Sequence, residues 1–276
     1  MVLRSLFSAP TCSCGAVRLP QPVASSGWLV SRKPQSRRQR KLCKKALRYQ
    51  AQALATVGPV VLLDNYDSFT YNLSQYLGDL GCEHIVFKND EKTVEEIEEM
   101  QPRGILISPG PGRPEDSGIS LALVRHMAPS TPVFGVCMGH QCIGQVWGAH
   151  ITRAPGGVMH GKSSMVYQCS NGQHSKPTIL KGLDSPFQAA RYHSLVIDAA
   201  TCPPELEVTA RTNDGLIMAV RHRDYPTCQG VQFHPESIIT SNGKIIIQNF
   251  IDMLHEKPQQ GLQRHHEHSD TVSAPA

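Results

Sequence analysis

The chain has 276 residues, 40% of them apolar and 18% charged, which suffices to enclose a core in one domain of ordinary size and excludes a charge-rich disordered chain. No uninterrupted apolar run reaches the length of a membrane-spanning helix, so no membrane association is expected. The net charge of +4 is unevenly spread: residues 1–55 hold 11 Lys/Arg and no acid, leaving 16 basic against 23 acidic residues in the rest, so no nucleic-acid partner is implied.

Residues 1–55 are rich in Ser and Arg and lack the sustained apolar core of a secretory signal. They read as an organelle transit peptide, with cleavage expected between about 45 and 57; a retained basic arm is the alternative. The globular part is then 56–256, followed by a polar tail over 257–276 that reads as disordered. The tail carries His265, His266 and His268 in "RHHEH", a loose metal-binding set at most. Nine cysteines without CxxC pairs indicate a reducing compartment and give no zinc site.

From Val60 onward, short β-branched runs alternate with helical patterns, as in a sheet with helices on its faces. "VVLL" (60–63) is the first strand. Phe69, Leu73, Tyr76, Leu77 and Leu80 then recur at helical spacing, with Asp67 or Ser68 as the expected cap and Gly81 as the stop. "HIVFK" (84–88) and "GILIS" (104–108) are strands flanking a short helix over 94–101. A helix over 120–128 leads to the strand "PVFGV" (132–136). Beyond Gly148 the pattern changes to short strands, "AHITRAP", "SSMVYQC", "FQAARYHSLVI", "LEVTART" and "LIMAVRHR", with "TNDG" as a hairpin turn between the last two. "GVQF" (230–233) precedes "HPES". A closing helix runs through "NGKIIIQNFIDMLHE", with Ile245, Ile246, Asn249, Phe250 and Met253 on one side. The expected fold is α/β, a mixed, largely parallel central sheet with helices on both faces and a small antiparallel sheet.

Three stretches carry chemistry. "GVCMG" sets Cys137 between Gly135 and Gly139 where a strand turns into a helix, the G-x-nucleophile-x-G form of a strained elbow at the carboxyl edge of a sheet. A helix N-terminus favours thiolate over thiol, and the Met138 amide is aimed toward any charge developing beside the sulfur. Cys142, inside the helix, fits the packing role usual for buried cysteine. In "FHPES", extended chain directs His234 and Glu236 to the same side, so Glu236 can orient the imidazole while its other nitrogen faces a sulfur. "SPGPGRPED" presents backbone N–H groups unobstructed by side chains, as an oxyanion hole requires.

In that order, "SPGPG", "GVCMGHQ" and "FHPES" resemble the class I glutamine amidotransferases from Val60 to about Leu254. "LLDNYDSFTYNL", "MHGK" and "ARYHSL" are similar to the glutaminase subunits of anthranilate synthase, in particular the plant plastid type, and to their counterparts in aminodeoxychorismate synthesis. The resemblance implies Cys137 as nucleophile, His234 as base and Glu236 as its orienting carboxylate. It further implies Gly110, Pro111, Gly112, Gln141, Ser194 and Leu195 as glutamine contacts and the amides of Gly110 and Met138 as oxyanion donors. Ammonia would pass to a larger chorismate-binding synthase (alpha) subunit that carries magnesium; no metal or cofactor is expected in this chain. Chloroplast location in the stroma follows from the leader and the plastid type. The small subunit of carbamoyl-phosphate synthetase is disfavoured, because a folded domain precedes its glutaminase. A non-catalytic sensor or binding module on the same fold remains the alternative from another class, and a serine hydrolase lacks its G-x-S-x-G elbow.

Overall fold

The structure is a computed structural model and describes residues 58–157, 159, 161–169 and 178–255. The leader, its cleavage point and the histidine-rich tail lie outside these residues.

Eleven strands and five α-helices are present among the described residues. The first half of a nine-stranded sheet is built from β2 (His84–Lys88), β1 (Gly58–Asp64), β3 (Pro102–Ile107), β4 (Val133–Val136) and β11 (Cys228–Val231), adjacent in that order and all parallel. It continues through β10 (Ile217–His222), β9 (Leu206–Thr212), β6 (Lys162–Gln168) and β7 (Phe187–Arg191), each antiparallel to its neighbour. β5 (Ile151–Arg153) and β8 (Leu195–Ile197) pair separately as an antiparallel ribbon.

The central parallel strands are buried on both faces, as sheets covered on both sides by helices require. Val60 and Leu62 of β1, with Phe134 and Val136 of β4, belong to one core, shared with α1 (Thr70–Asp79) through Leu73 and Leu77 and with α5 (Gly243–Met253) through Ile246 and Phe250. Val61 and Leu63 enter the opposite core, with Ile97 of α2 (Val94–Glu99), Leu123 and Val124 of α3 (Ser120–Met127), and Cys142 and Ile143 of α4 (Met138–Val146). Alternation along each strand thus assigns each helix to its layer.

Three sequence expectations change in detail. Asp67 and Ser68 are not the N-cap of α1; that residue is Phe69, without a side-chain cap, and the Asp67 carboxylate instead accepts from the Phe69 amide at 2.8 Å. α2 also carries a full capping box between Thr93 and Glu96, for which the T-x-x-E spacing ahead of Ile97 was the available signal. "FQAARYHSLVI" is two strands in two sheets, broken at Tyr192–Ser194 because those residues wrap the cavity described below. β11 ends at Val231, so Gln232 and Phe233 already lie beyond the named strand.

Candidate active site

Because β1, β3, β4 and β11 are parallel, the chain leaves all of them at one rim, the usual place for a ligand in such sheets. The Gly110 loop follows β3, Cys137 follows β4, and His234 follows β11.

Cys137 sits at φ 50°, ψ −95°, positive φ for a residue with a side chain. Such backbone costs about 1–3 kcal/mol and persists only where the surroundings hold it. They do so here: the Cys137 amide donates to Val231 O at 2.8 Å, and its carbonyl accepts the Gln141 amide at 3.0 Å. The flanking glycines are a steric necessity. A Cβ on Gly135 would stand 2.4 Å from the carbonyl of Gly139, and one on Gly139 would stand 2.6 Å from Ile107 O.

Beside it, His234 Nδ1 and Glu236 Oε1 lie 2.6 Å apart, both side chains buried. The segment bearing them is stapled to β7: His234 N donates to Ala190 O at 3.0 Å, and Thr240 Oγ1 bridges the Ala190 amide and His234 O. His234 Nε2 makes no hydrogen bond of ordinary geometry among the described residues. Burial alone would depress the proton affinity of this ring, but its interactions with the Cys137 sulfur and the Glu236 carboxylate outweigh it and raise the imidazole well above its usual pKa. The ring stands between a sulfur and a carboxylate. Phe69 and Tyr192 pack on it, with ring centroids 6.2 and 5.1 Å from the imidazole.

The loop after β3 is pinned from behind. Asn65 donates its amide to Ser108 Oγ (2.9 Å) and its side chain to Ser108 O (3.1 Å), while Asn89 and Ser120 donate to Asn65 Oδ1. Gly110 lies so close to Asn65 that a Cβ would come within 2.8 Å of its carbonyl oxygen, and Gly112 adopts φ 84°.

A cavity of about 190 Å³ opens between these parts, lined by Gly110, Pro111, Gly112, Cys137, Gln141, Tyr192, His193, Ser194 and Leu195. All six expected glutamine contacts line it together with the sulfur, and His234 and Glu236 stand behind. Its size suits a small metabolite rather than a drug-sized ligand. Cys142 is buried, 3.4 Å from Ser117 Oγ, and burial pushes its thiol up to about 12.

Three residues given no role from the sequence complete the site. Tyr192 and His193 line the cavity, and Gln232 donates from Nε2 to Cys137 Sγ at 3.5 Å. Gln232 precedes His234 by two positions, so the alternation that aligns Glu236 with His234 was the available signal. In "DNYDSFTYN", after the first strand, Tyr66 and Tyr71 are exposed at 56% and 64%, whereas Phe69 is half-buried over His234. No group of three or more metal-ligating side chains occurs among the described residues.

This rim of elbow cysteine, histidine–glutamate pair and glycine loop on a mixed α/β sheet accords with the family whose model matches residues 61–254, the class I glutamine amidotransferases. The chain belongs to that family of enzymes. It is 58% identical over 206 residues to "Anthranilate synthase beta subunit 1, chloroplastic" of Arabidopsis thaliana, covering 74% of each chain. Identity is 51% over 193 residues to "Aminodeoxychorismate/anthranilate synthase component 2" of Bacillus subtilis, covering 70% of this chain and 95% of that one. The fold matches a solved structure of a putative GMP synthase protein from Thermoplasma acidophilum with a TM-score of 0.61 at 24% identity, over 72% of this chain and 94% of the other.

Proposed function

We propose that the chain is the glutaminase subunit of an anthranilate synthase, hydrolysing glutamine at Cys137 and passing the ammonia to a chorismate-binding partner. The observation that carries the chemistry is the strained Cys137 elbow facing the Gly110–Gly112 loop across one cavity, with the His234–Glu236 pair packed against Tyr192 of its wall.

With the Cys137 proton on His234, the thiolate adds to the side-chain amide carbon of glutamine. The oxyanion is received by the amides of Met138 and Gly110. His234 then gives its proton to the departing nitrogen, the C–N bond breaks, and ammonia leaves a glutamyl thioester. Neutral His234 takes a proton from water as the water attacks the thioester carbon; the C–S bond breaks, glutamate departs, and the thiolate–imidazolium pair returns. Glu236 holds the ring in the orientation both steps need.

Ammonia loses nucleophilicity once protonated in water, so direct transfer to a partner is the economical route. The exposed Tyr66 and Tyr71, near the end of the strand that borders the site, fit a partner contact. Magnesium belongs to the partner in this reading. A plastid location is supported by the chloroplastic plant relatives and by the acid-free leader. The dual name of the Bacillus relative favours one second reading, service to an aminodeoxychorismate synthase.

The test is to isolate the chain with its larger companion and supply glutamine, chorismate and magnesium. Fluorescent anthranilate is expected, with Cys137→Ser abolishing the glutamine-dependent rate but sparing synthesis from added ammonium salt. Formation of aminodeoxychorismate instead would move the assignment to the second reading, and unchanged glutamine use by the variant would reject both.

A further inference from the structure

We propose that Gln232 is a catalytic residue of this site, a hydrogen-bond donor that holds the Cys137 sulfur and favours its thiolate; the inference rests on the glutaminase reading above. Gln232 is fully buried, and its Nε2 lies 3.5 Å from Cys137 Sγ across 95 positions of sequence.

Which end of this amide faces the sulfur follows from the surrounding bonds. Leu195 O can only accept, and Gln141 reaches it with Nε2 at 3.1 Å, so the NH₂ group of Gln141 is the end turned that way. The same Nε2 lies 3.3 Å from Gln232 Oε1, which makes that oxygen the acceptor and leaves the Gln232 NH₂ group for the sulfur. The far end of the chain is equally determined. Arg191 Nε can only donate, and it does so to His193 Nε2 at 3.0 Å; His193 Nδ1 therefore carries the ring proton and gives it to Leu195 O at 3.0 Å. Leu195 O thus accepts from both sides, from His193, which is held by the buried Arg191, and from Gln141, whose amide also donates to Gln232 Oε1. Gln232 in turn presents N–H to the nucleophile.

A donor aimed at sulfur stabilises the charged form more than the neutral one. It also fixes the side chain of a residue whose backbone is already strained, and Gln232 is itself held by its amide on Met218 O at 2.9 Å. His234 takes the proton, and Gln232 steadies what remains.

The experiment measures the rate of iodoacetamide alkylation of Cys137 against pH, followed by peptide mass spectrometry, in the full chain and in Gln232→Met. Glutamine hydrolysis with the partner present is measured alongside. The midpoint of the alkylation profile is expected to rise by about one pH unit, and kcat to fall roughly 10- to 100-fold, the weight of one hydrogen bond to a charged group, with KM within a few-fold. Gln232→Asn keeps a polar amide in the core but draws the donor back from the sulfur by one methylene. It should show the same signs, so the result does not depend on one variant's folding. Profiles and kcat within twofold of the parent in both variants, while Cys137→Ser is inactive, would remove Gln232 from the mechanism and leave the glutaminase reading standing. Glutaminase activity surviving in Cys137→Ser would remove that reading itself.

Discussion

The amide of Cys137 donates to the carbonyl of Val231 at 2.8 Å, so the strand that delivers His234 also holds the backbone of the cysteine. The pairing of β4 with β11 is parallel and brings together segments nearly a hundred residues apart. Nucleophile and base are therefore not merely near each other; their positions are set by one ladder of backbone bonds. Disturbing that ladder, or the groups hung from it, gives results that can be measured.

Alkylation should be confined to one thiol in the core. Burial pushes the thiols of Cys142 and Cys228 up to about 12, leaving almost no thiolate at neutral pH, whereas Cys137 opens onto the cavity beside His234. A glutamine-analogue alkylator at pH 7.5 (about one unit below a free thiol) is expected to label Cys137, with Cys142 and Cys228 unmodified by peptide mass spectrometry. Cys137→Ser should lower glutaminase turnover by at least about 10³-fold.

Glu236→Gln keeps an acceptor opposite His234 Nδ1 but removes the charge that raises the ring's proton affinity. Turnover should fall by about 10²- to 10⁴-fold with KM for glutamine little changed, and thermal unfolding should stay close to the parent. Steady-state kinetics on the complex read the first two; calorimetry reads the third.

Gly110→Ala forces a Cβ against Asn65, whose carbonyl oxygen would stand 2.8 Å away. The loop must shift by a fraction of an ångström or more, and kcat/KM is expected to drop about 10²-fold. Gly135→Ala instead meets the backbone of Gly139 at 2.4 Å, beneath the first turn of α4, and should cost stability, about 1–3 kcal/mol by urea titration.

Acid should weaken the fold before it titrates the carboxylates. His140 and His193 are buried and neutral, their pKa values lowered to about 3 by burial, with Arg191 adding to the effect at His193. The unfolded chain binds a proton at each near its ordinary value while the folded chain does not. Stability is therefore lost as pH falls below about 6.5, by about 1.4 kcal/mol per pH unit for each histidine. His234 has the opposite sign: its folded pKa is raised, so its contribution is complete below the unfolded value and fades as pH rises through the folded one. Urea midpoints are expected to fall from about pH 6.5 to pH 5, where the two neutral histidines act and His234 adds no slope of its own.

The local chemistry is legible in the order of the amino acids. Gly135 and Gly139 announce a tight elbow because no Cβ fits there, the alternation through His234 and Glu236 aligns an imidazole with a carboxylate, and the buried runs of β1, β3 and β4 declare a sheet covered on both faces. These are consequences of backbone sterics and of side-chain period, which act over a few residues. The folded chain was needed to see that β11 lies between β4 and β10, that "ARYHSL" breaks into the cavity wall rather than continuing a strand, and that Gln232 reaches the sulfur. The order of strands and the direction of a buried amide depend on which distant surfaces pack together. No short stretch of chain carries that information.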